Sequence, residues 1–66
     1  MKKLATEVKI GDIIKSPFSP YWGIVDNIIE SGGKKIDFQV TYTHPIDMKG
    51  KGWFYTFFKT TKVTVK

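Results

Sequence analysis

Residues 36–43, IDFQVTYT, alternate apolar and polar side chains with a period of two over their whole length. Because successive side chains on a β-strand point to opposite faces, the apolar residues would share one face and the polar residues the other. This spacing predicts a half-buried strand. Elsewhere the apolar residues also recur mostly every second position rather than at a spacing of 3.6, which predicts an all-β protein.

Four more strands are predicted from short segments of the same kind: residues 12–16, 22–29, 53–58 and 62–66. Between the second and third strands, Gly32 and Gly33 tolerate positive φ and predict an antiparallel hairpin of residues 22–29 with 36–43. Pro17 and Pro20 predict a long loop after the first strand, and residues 43–52, THPIDMKGKG, predict a second, mobile loop.

The length of 66 residues predicts one domain, residues 1–66, with a thin core. The chain has no cysteine, so packing alone must stabilise the fold, without disulfides or thiolate metal sites. Five short strands are too few for a two-sheet sandwich. They favour one small, strongly bent antiparallel sheet or barrel.

Two segments resemble SH3-like small barrels, especially the KOW type. In VKIGDIIKSPFSPYWGIVDNI, Gly11 and Asp12 precede the first apolar strand, and Gly23 and Val25 match the Gly-x-Val that follows a loop later. GWFYTFFKTTKVTV is similar to the last two strands of such barrels, joined by a turn at residues 59–61. The resemblance covers nearly the whole chain. It implies an SH3-like barrel whose first loop and third and fourth strands form the ligand surface.

The net charge of +5 comes entirely from lysine, with eleven lysines against six carboxylates. Such an excess favours polyanionic partners through counterion release. Ammonium groups lack the planar fork that reads guanine edges, so they suit sequence-independent contact. A solvated lysine-rich surface without a polyanionic partner is the alternative.

His44 is the only histidine, and no thiol or plausible triad accompanies it, so we expect a non-catalytic protein without metal or cofactor. The first residues, MKKLATEVKIGDII, lack the apolar region of a signal peptide. No run approaches the roughly 18 apolar residues of a membrane span. The sequence therefore predicts a cytoplasmic protein with no membrane association.

The segment KGKGWFYTFFK, residues 49–59, concentrates the aromatic side chains. By strand alternation, Trp53, Tyr55 and Phe57 share a face with Lys51 and Lys59. Since lysines mark the wetter side, we expect these three aromatic residues to form a solvent-exposed stripe that stacks bases while the lysines neutralise phosphates. Residues 54 and 58, both phenylalanine, would then belong to the core.

Further basic and aromatic residues of the first loop and the adjacent turns are expected to extend this binding surface. The complete set of candidates is Lys15, Phe18, Tyr21, Trp22, Lys34, Lys35, Lys49, Lys51, Trp53, Tyr55, Phe57 and Lys59.

Three interpretations of the aromatic segment remain open from sequence. It can be a face for DNA or RNA, a part of the core, or a protein–protein surface that includes a homodimer contact. The second functional hypothesis is accordingly a monomeric or dimeric adaptor or inhibitor, such as a phage or mobile-element accessory protein.

Overall fold

The computed structural model describes residues 1–18, 20–30, 32–44 and 46–66. Its six strands are β1 (Lys2–Leu4), β2 (Ile13–Lys15), β3 (Trp22–Glu30), β4 (Lys35–His44), β5 (Gly52–Phe58) and β6 (Lys62–Thr64). Two short 3₁₀ helices, Ala5–Glu7 and Ile46–Met48, are the helical elements of the described residues. The all-β class is confirmed. None of the described helices is long and apolar enough to cross a membrane.

Strands β2, β3, β4 and β5 form a curled antiparallel sheet in that order, and β1 pairs with β6 in a second, two-stranded sheet. The two sheets meet at β6. Ile14 of β2 bridges to Val65, and the Lys66 N–H donates to the Ile13 carbonyl at 2.8 Å. The last strand thus returns to the first strand of the larger sheet, which gives the fold its half-barrel curvature.

The predicted hairpin is confirmed, with β3 and β4 antiparallel and paired along almost their full length. Its register shifts twice, between Trp22 and Gly23 and between Val25 and Asn27. Because an extra residue in one strand increases the local bend and twist, these irregularities help to curl the sheet. Gly32 has φ of 81° in the connecting turn. Ser31 lies outside the described residues.

The core is built from one face of the alternating strands. The apolar residues of β4 are all buried, as their spacing predicted, and they pack with residues of β2, β3, β5, β6 and the first 3₁₀ helix. The buried set is Ala5, Val8, Ile14, Val25, Ile36, Phe38, Val40, Tyr42, Tyr55, Phe57, Val63 and Val65.

β1 adds one strand to the five predicted. Its sequence, KKL, contains two lysines and no alternation, so only its pairing with β6 defines it as a strand. The predicted loops also contain more structure than expected, since Ile46–Met48 forms a 3₁₀ helix where a mobile loop was predicted. At Ser19 and Pro45 the loop predictions lie outside the described residues.

Candidate functional site

The direction of the aromatic side chains on β5 corrects the sequence-based assignment. Tyr55 and Phe57 are 2% and 8% exposed, whereas Phe54 and Phe58 are 58% and 53% exposed. The two alternating sets are as predicted, but the face assigned to each set was wrong. Tyr55 and Phe57 therefore belong to the core and cannot form a surface stripe.

Pairing with β4 explains the correction. Tyr55 lies opposite Phe38, and Phe57 lies opposite Ile36, so both share the apolar inner face of β4. Lys51 and Lys59 continue the parity of Tyr55 and Phe57, but they lie just beyond the two ends of β5, where the inner face is no longer covered by the core. Their charge therefore did not indicate which face of the strand is wet.

Trp53 has the parity of the inner face, opposite Val40, yet its side chain is 62% exposed. It lies near the beginning of β5, past the margin of the core cluster. Of the three aromatic residues predicted to form the stripe, Trp53 is thus the one that reaches solvent.

The remaining candidates lie in three separate places, which are the two ends of β5 and the first loop. Lys34, Lys35 and Lys59 cluster at one end of the sheet, where the Lys59 N–H donates to the Lys34 carbonyl at 2.9 Å. Lys35 Nζ lies 5.2 Å from the centre of the Phe58 ring. Lys49, Lys51 and Trp53 lie at the other end of β5, about 20 Å away at the usual rise of a strand. The structure does not bring these two lysine clusters into one site.

Tyr21 and Trp22 follow the first loop and are both partly buried. Tyr21 packs edge-on against Tyr42, with ring centroids 5.4 Å apart. Trp22 pairs with Lys15 across β2 and β3, and Lys66 Nζ lies 5.5 Å from its ring centre. Tyr21 therefore supports the core, whereas Trp22 forms part of a basic outer face.

Lys15 and Phe18 line an open groove of about 560 Å³ between the first loop and β6. The buried ring of Phe57 also contributes to its wall. The groove is lined by Lys15, Ser16, Pro17, Phe18, Pro20, Phe57, Thr61, Lys62, Val63 and Thr64. Among these lining residues there are two lysines, three hydroxyl groups and no carboxylate.

The loop that forms one wall of the groove is held by its own hydrogen bonds. The Ser16 N–H donates to the Tyr21 carbonyl at 2.8 Å, and the Phe18 N–H donates to Ser16 Oγ at 3.2 Å. Pro17 and Pro20 restrict φ in the same segment. The Phe18 side chain projects from this loop and is 92% exposed.

The contribution of β6 to the groove was not predicted from the sequence. Lys62 and Thr64 alternate with Val63, so the sequence could predict that their side chains point outward. Their position beside the first loop depends on the return of β6 to β2. A closed barrel places its last strand next to its first strand, and this expectation could have identified Lys62 and Thr64 as groove residues.

The hydroxyl oxygen of Tyr55, Oη, is a buried polar atom. Within the described part of the chain it makes no hydrogen bond of normal geometry. Burial raises the pKa of Tyr55, and the neighbouring Tyr42 raises it further, while Ser16 lowers it slightly. The phenol is therefore un-ionised throughout the neutral pH range.

The described residues include no group of three or more histidine, aspartate or glutamate side chains placed to hold a metal ion. His44 is exposed, with its Nδ1 3.0 Å from the Thr43 hydroxyl.

The groove offers ammonium groups, hydroxyls and an aromatic ring. These are groups that bind an anion beside a planar ligand.

Comparison of the chain with protein-family models, with curated proteins and with solved structures finds no significant match in any of the three.

Proposed function

We propose that this protein is a small non-catalytic binding module that contacts single-stranded DNA or RNA through the groove between the first loop and β6. The observation that carries the proposal is the composition of the groove wall, in which Lys15 and Lys62 stand without a carboxylate beside the exposed ring of Phe18. Ammonium groups neutralise phosphates, and an exposed ring stacks on a base.

A single-stranded ligand fits this wall better than a duplex. Phe18 can stack only on a base whose face is free, and bases in a duplex are already stacked on one another. The hydroxyls of Ser16, Thr61 and Thr64 add hydrogen-bonding groups for phosphate or sugar oxygens. Lysine contacts of this kind favour binding without sequence preference.

We also propose that the fold is an SH3-like barrel, which the sequence resembles. The return of β6 to β2 and the curl of the β2-β3-β4-β5 sheet support a barrel of this kind. In that family the first loop belongs to the usual ligand surface, and here this loop forms a wall of the groove.

Fluorescence anisotropy with a labelled, mixed-sequence single strand tests the proposal. Log affinity is expected to fall with log salt with a slope near −0.7 for each phosphate neutralised, so Lys62→Gln should flatten the slope by about that amount. Phe18→Ala should weaken binding about 5- to 150-fold, because stacking contributes about 1–3 kcal/mol per base.

Two matched variants locate the site. Lys49→Gln removes an exposed lysine at the far end of β5, and Trp53→Ala removes an exposed aromatic residue there. Both should bind as the wild type does. Salt-insensitive binding, no binding at about 50 mM salt, or a loss in Trp53→Ala without one in Phe18→Ala would contradict the groove assignment.

A protein–protein adaptor or inhibitor is the second candidate, and the exposed rings of Phe54 and Phe58 favour it. Aromatic residues are common anchors of protein interfaces. Affinity purification from a nuclease-treated bacterial lysate, with the double variant Phe54→Ser and Phe58→Ser as the matched bait, tests it. Recovery of one defined protein by the wild type alone is the expected result for an adaptor, and equal recovery by both baits would contradict it.

A further inference from the structure

β5 is the last strand of the larger sheet and has one free edge. Within the described ranges, its only strand partner is β4. The Tyr42 N–H donates to the Lys51 carbonyl at 2.8 Å, and the Lys59 N–H donates to the Lys34 carbonyl at 2.9 Å. These bonds flank β5 and show that its odd-numbered residues direct their backbone groups towards β4.

Backbone groups alternate in direction along an antiparallel strand. The N–H and C=O groups of Phe54 and Thr56 and the N–H of Phe58 therefore point to the free edge, whereas the Phe58 carbonyl accepts the Thr61 N–H at 3.0 Å. The side chains of these same residues are exposed on the outer face. The free edge thus combines an unpaired hydrogen-bonding row with two solvent-exposed aromatic rings.

The features that usually prevent strands from pairing at an edge are missing from β5. Gly52–Phe58 contains no charged residue and no proline. Its register with β4 runs without the shifts that interrupt the pairing of β3 with β4. Native edge strands are normally protected by charges, proline, bulges or short length. Lys51 and Lys59 flank the strand but do not interrupt it.

We propose that two copies of this chain pair through β5 in an antiparallel arrangement, with the two-fold axis at Thr56. This register places Thr56 opposite Thr56 of the second copy and Phe54 opposite Phe58 of the second copy, twice by symmetry. The Thr56 pair exchanges two hydrogen bonds across the shared edge, and in each Phe54–Phe58 pair the Phe58 N–H donates to the Phe54 carbonyl. Opposed aromatic residues on one face stabilise strand pairing.

The inner side of the same register is also complementary. Trp53 would face Lys59 of the second copy, which places an ammonium group beside an exposed indole ring. Lys51 would lie beyond the paired strands, because the second copy's chain turns after Phe58, so no lysine opposes a lysine.

Neighbouring registers are less favourable. With the axis at Tyr55, Lys51 of one copy faces Lys59 of the other, and like charges directly opposite destabilise a strand pair. With the axis at Phe57, Phe58 faces Thr56 and Phe54 lies opposite the turn after β5, so the aromatic pairs are lost. The Thr56 register is therefore the one that matches both rings and charges.

The expected dimer is weak. Phe54, Phe58 and Trp53 are each slightly more than half exposed. At about 150–250 Å² per aromatic side chain, the two copies together offer roughly 700 Å² of aromatic surface. With the adjoining backbone, the interface lies at the small end of specific contacts, where association is transient. Micromolar self-association is the consequence.

Sedimentation velocity on nuclease-treated protein, from low micromolar to millimolar concentration, tests the dimer without nucleic acid. The wild type is expected to shift from monomer to dimer as concentration rises. Thr56→Lys should abolish the shift because it places two ammonium groups on the axis, while Asp37 beside residue 56 accommodates the new charge within each copy. Gln39→Lys is the matched control. It adds the same charge to the exposed outer face of β4, away from the edge, and should dimerise as the wild type does.

Single-cysteine variants test the register directly, since the chain has no cysteine of its own. Opposed residues of a hydrogen-bonded pair have Cα atoms about 5.5 Å apart, within the range of a disulfide. Thr56→Cys should form a disulfide dimer rapidly on mild oxidation, and Gln39→Cys should not.

A wild type that is monomeric at every concentration would overturn the proposal. The free edge of β5 would then be available to pair with a strand of another protein. Self-association unaffected by Thr56→Lys, or equally slow cross-linking of both cysteine variants, would overturn it as well. The groove residues are unchanged in every variant, so these outcomes are independent of nucleic-acid binding.

Discussion

The ammonium group of Lys3 lies 3.1 Å from a carboxylate oxygen of Asp12, so β1 is joined to the turn before β2. The same oxygen accepts the backbone N–H of Lys9 at 2.9 Å. The Lys9 hydrogen bond is the largest cause that lowers the pKa of Asp12, and Lys3 lowers it further, while partial burial opposes both. The carboxylate of Asp12 thus stabilises the fold in its charged form.

Asp12→Asn is expected to lower the free energy of unfolding by about 1 kcal/mol, the size of a charge-assisted hydrogen bond in a partly exposed setting. Because the folded-state pKa is below the ordinary value of 3.8, this stabilisation is present above pH 3.8 and disappears as the pH falls through the folded-state pKa. Urea unfolding between about pH 2 and 7 measures it, with Asp47→Asn, at an exposed carboxylate, as the control. Equal acid sensitivity of Asp12→Asn and wild type would contradict the assignment.

Gly23→Ala is expected to destabilise the fold by about 1–3 kcal/mol through overpacking. A Cβ at residue 23 would lie 3.0 Å from the Cβ of Val40 and 3.3 Å from the Thr41 carbonyl oxygen. Thermal unfolding measures the loss. Gly33→Ala is the control because a Cβ there meets no atom of the described residues within 4 Å. Similar melting temperatures for both variants would show that β3 and β4 are not so closely apposed.

Tyr55→Phe is expected to retain the fold and to raise the free energy of unfolding by up to about 1 kcal/mol, because it removes a buried hydroxyl that has no hydrogen-bond partner among the described residues. Burial raises the pKa of Tyr55, so the wild type should lose stability as the pH rises above the ordinary value of 10.0. The variant should lose less. Denaturant unfolding on both sides of that pH measures the difference, and a large loss in Tyr55→Phe at neutral pH would indicate that the hydroxyl makes a stabilising bond.

Two adjacent phenylalanines on β5 should lose very different amounts of stability on the same substitution. Phe57→Ala is expected to cost about 3–5 kcal/mol, because the ring is buried and packs 5.9 Å from the Phe38 ring. Phe58→Ala should change stability by no more than about 0.5–1 kcal/mol, the value of an exposed contact with Lys35. Circular dichroism during thermal unfolding compares the pair. The reverse ranking would support the sequence-based face assignment instead.

Much of the fold was predictable because alternation is a strong signal when one face of a strand is fully buried. The apolar residues of β4 illustrate this, as do the glycines between β3 and β4, whose turn is confirmed by the register. β1 was not predictable, because Lys2 and Lys3 carry no apolar pattern and the strand depends on pairing with distant residues of β6.

The candidate site was only partly predictable. Strand alternation separated Tyr55 and Phe57 from Phe54 and Phe58 correctly, but alternation alone cannot say which set is buried. That choice depends on the register with β4, and the flanking lysines were a misleading guide because they lie outside the strand. Lys15 and Phe18 were identified from the first loop, whereas Lys62 required the three-dimensional return of β6.

The pairing of Lys3 with Val63 has a consequence for how the chain folds. These residues lie near opposite ends of the sequence, so closing the small sheet requires a long loop to be ordered first. Contacts of such high sequence separation slow folding. During synthesis the β3–β4 hairpin can form early, but β1 must wait unpaired until β6 has left the ribosome.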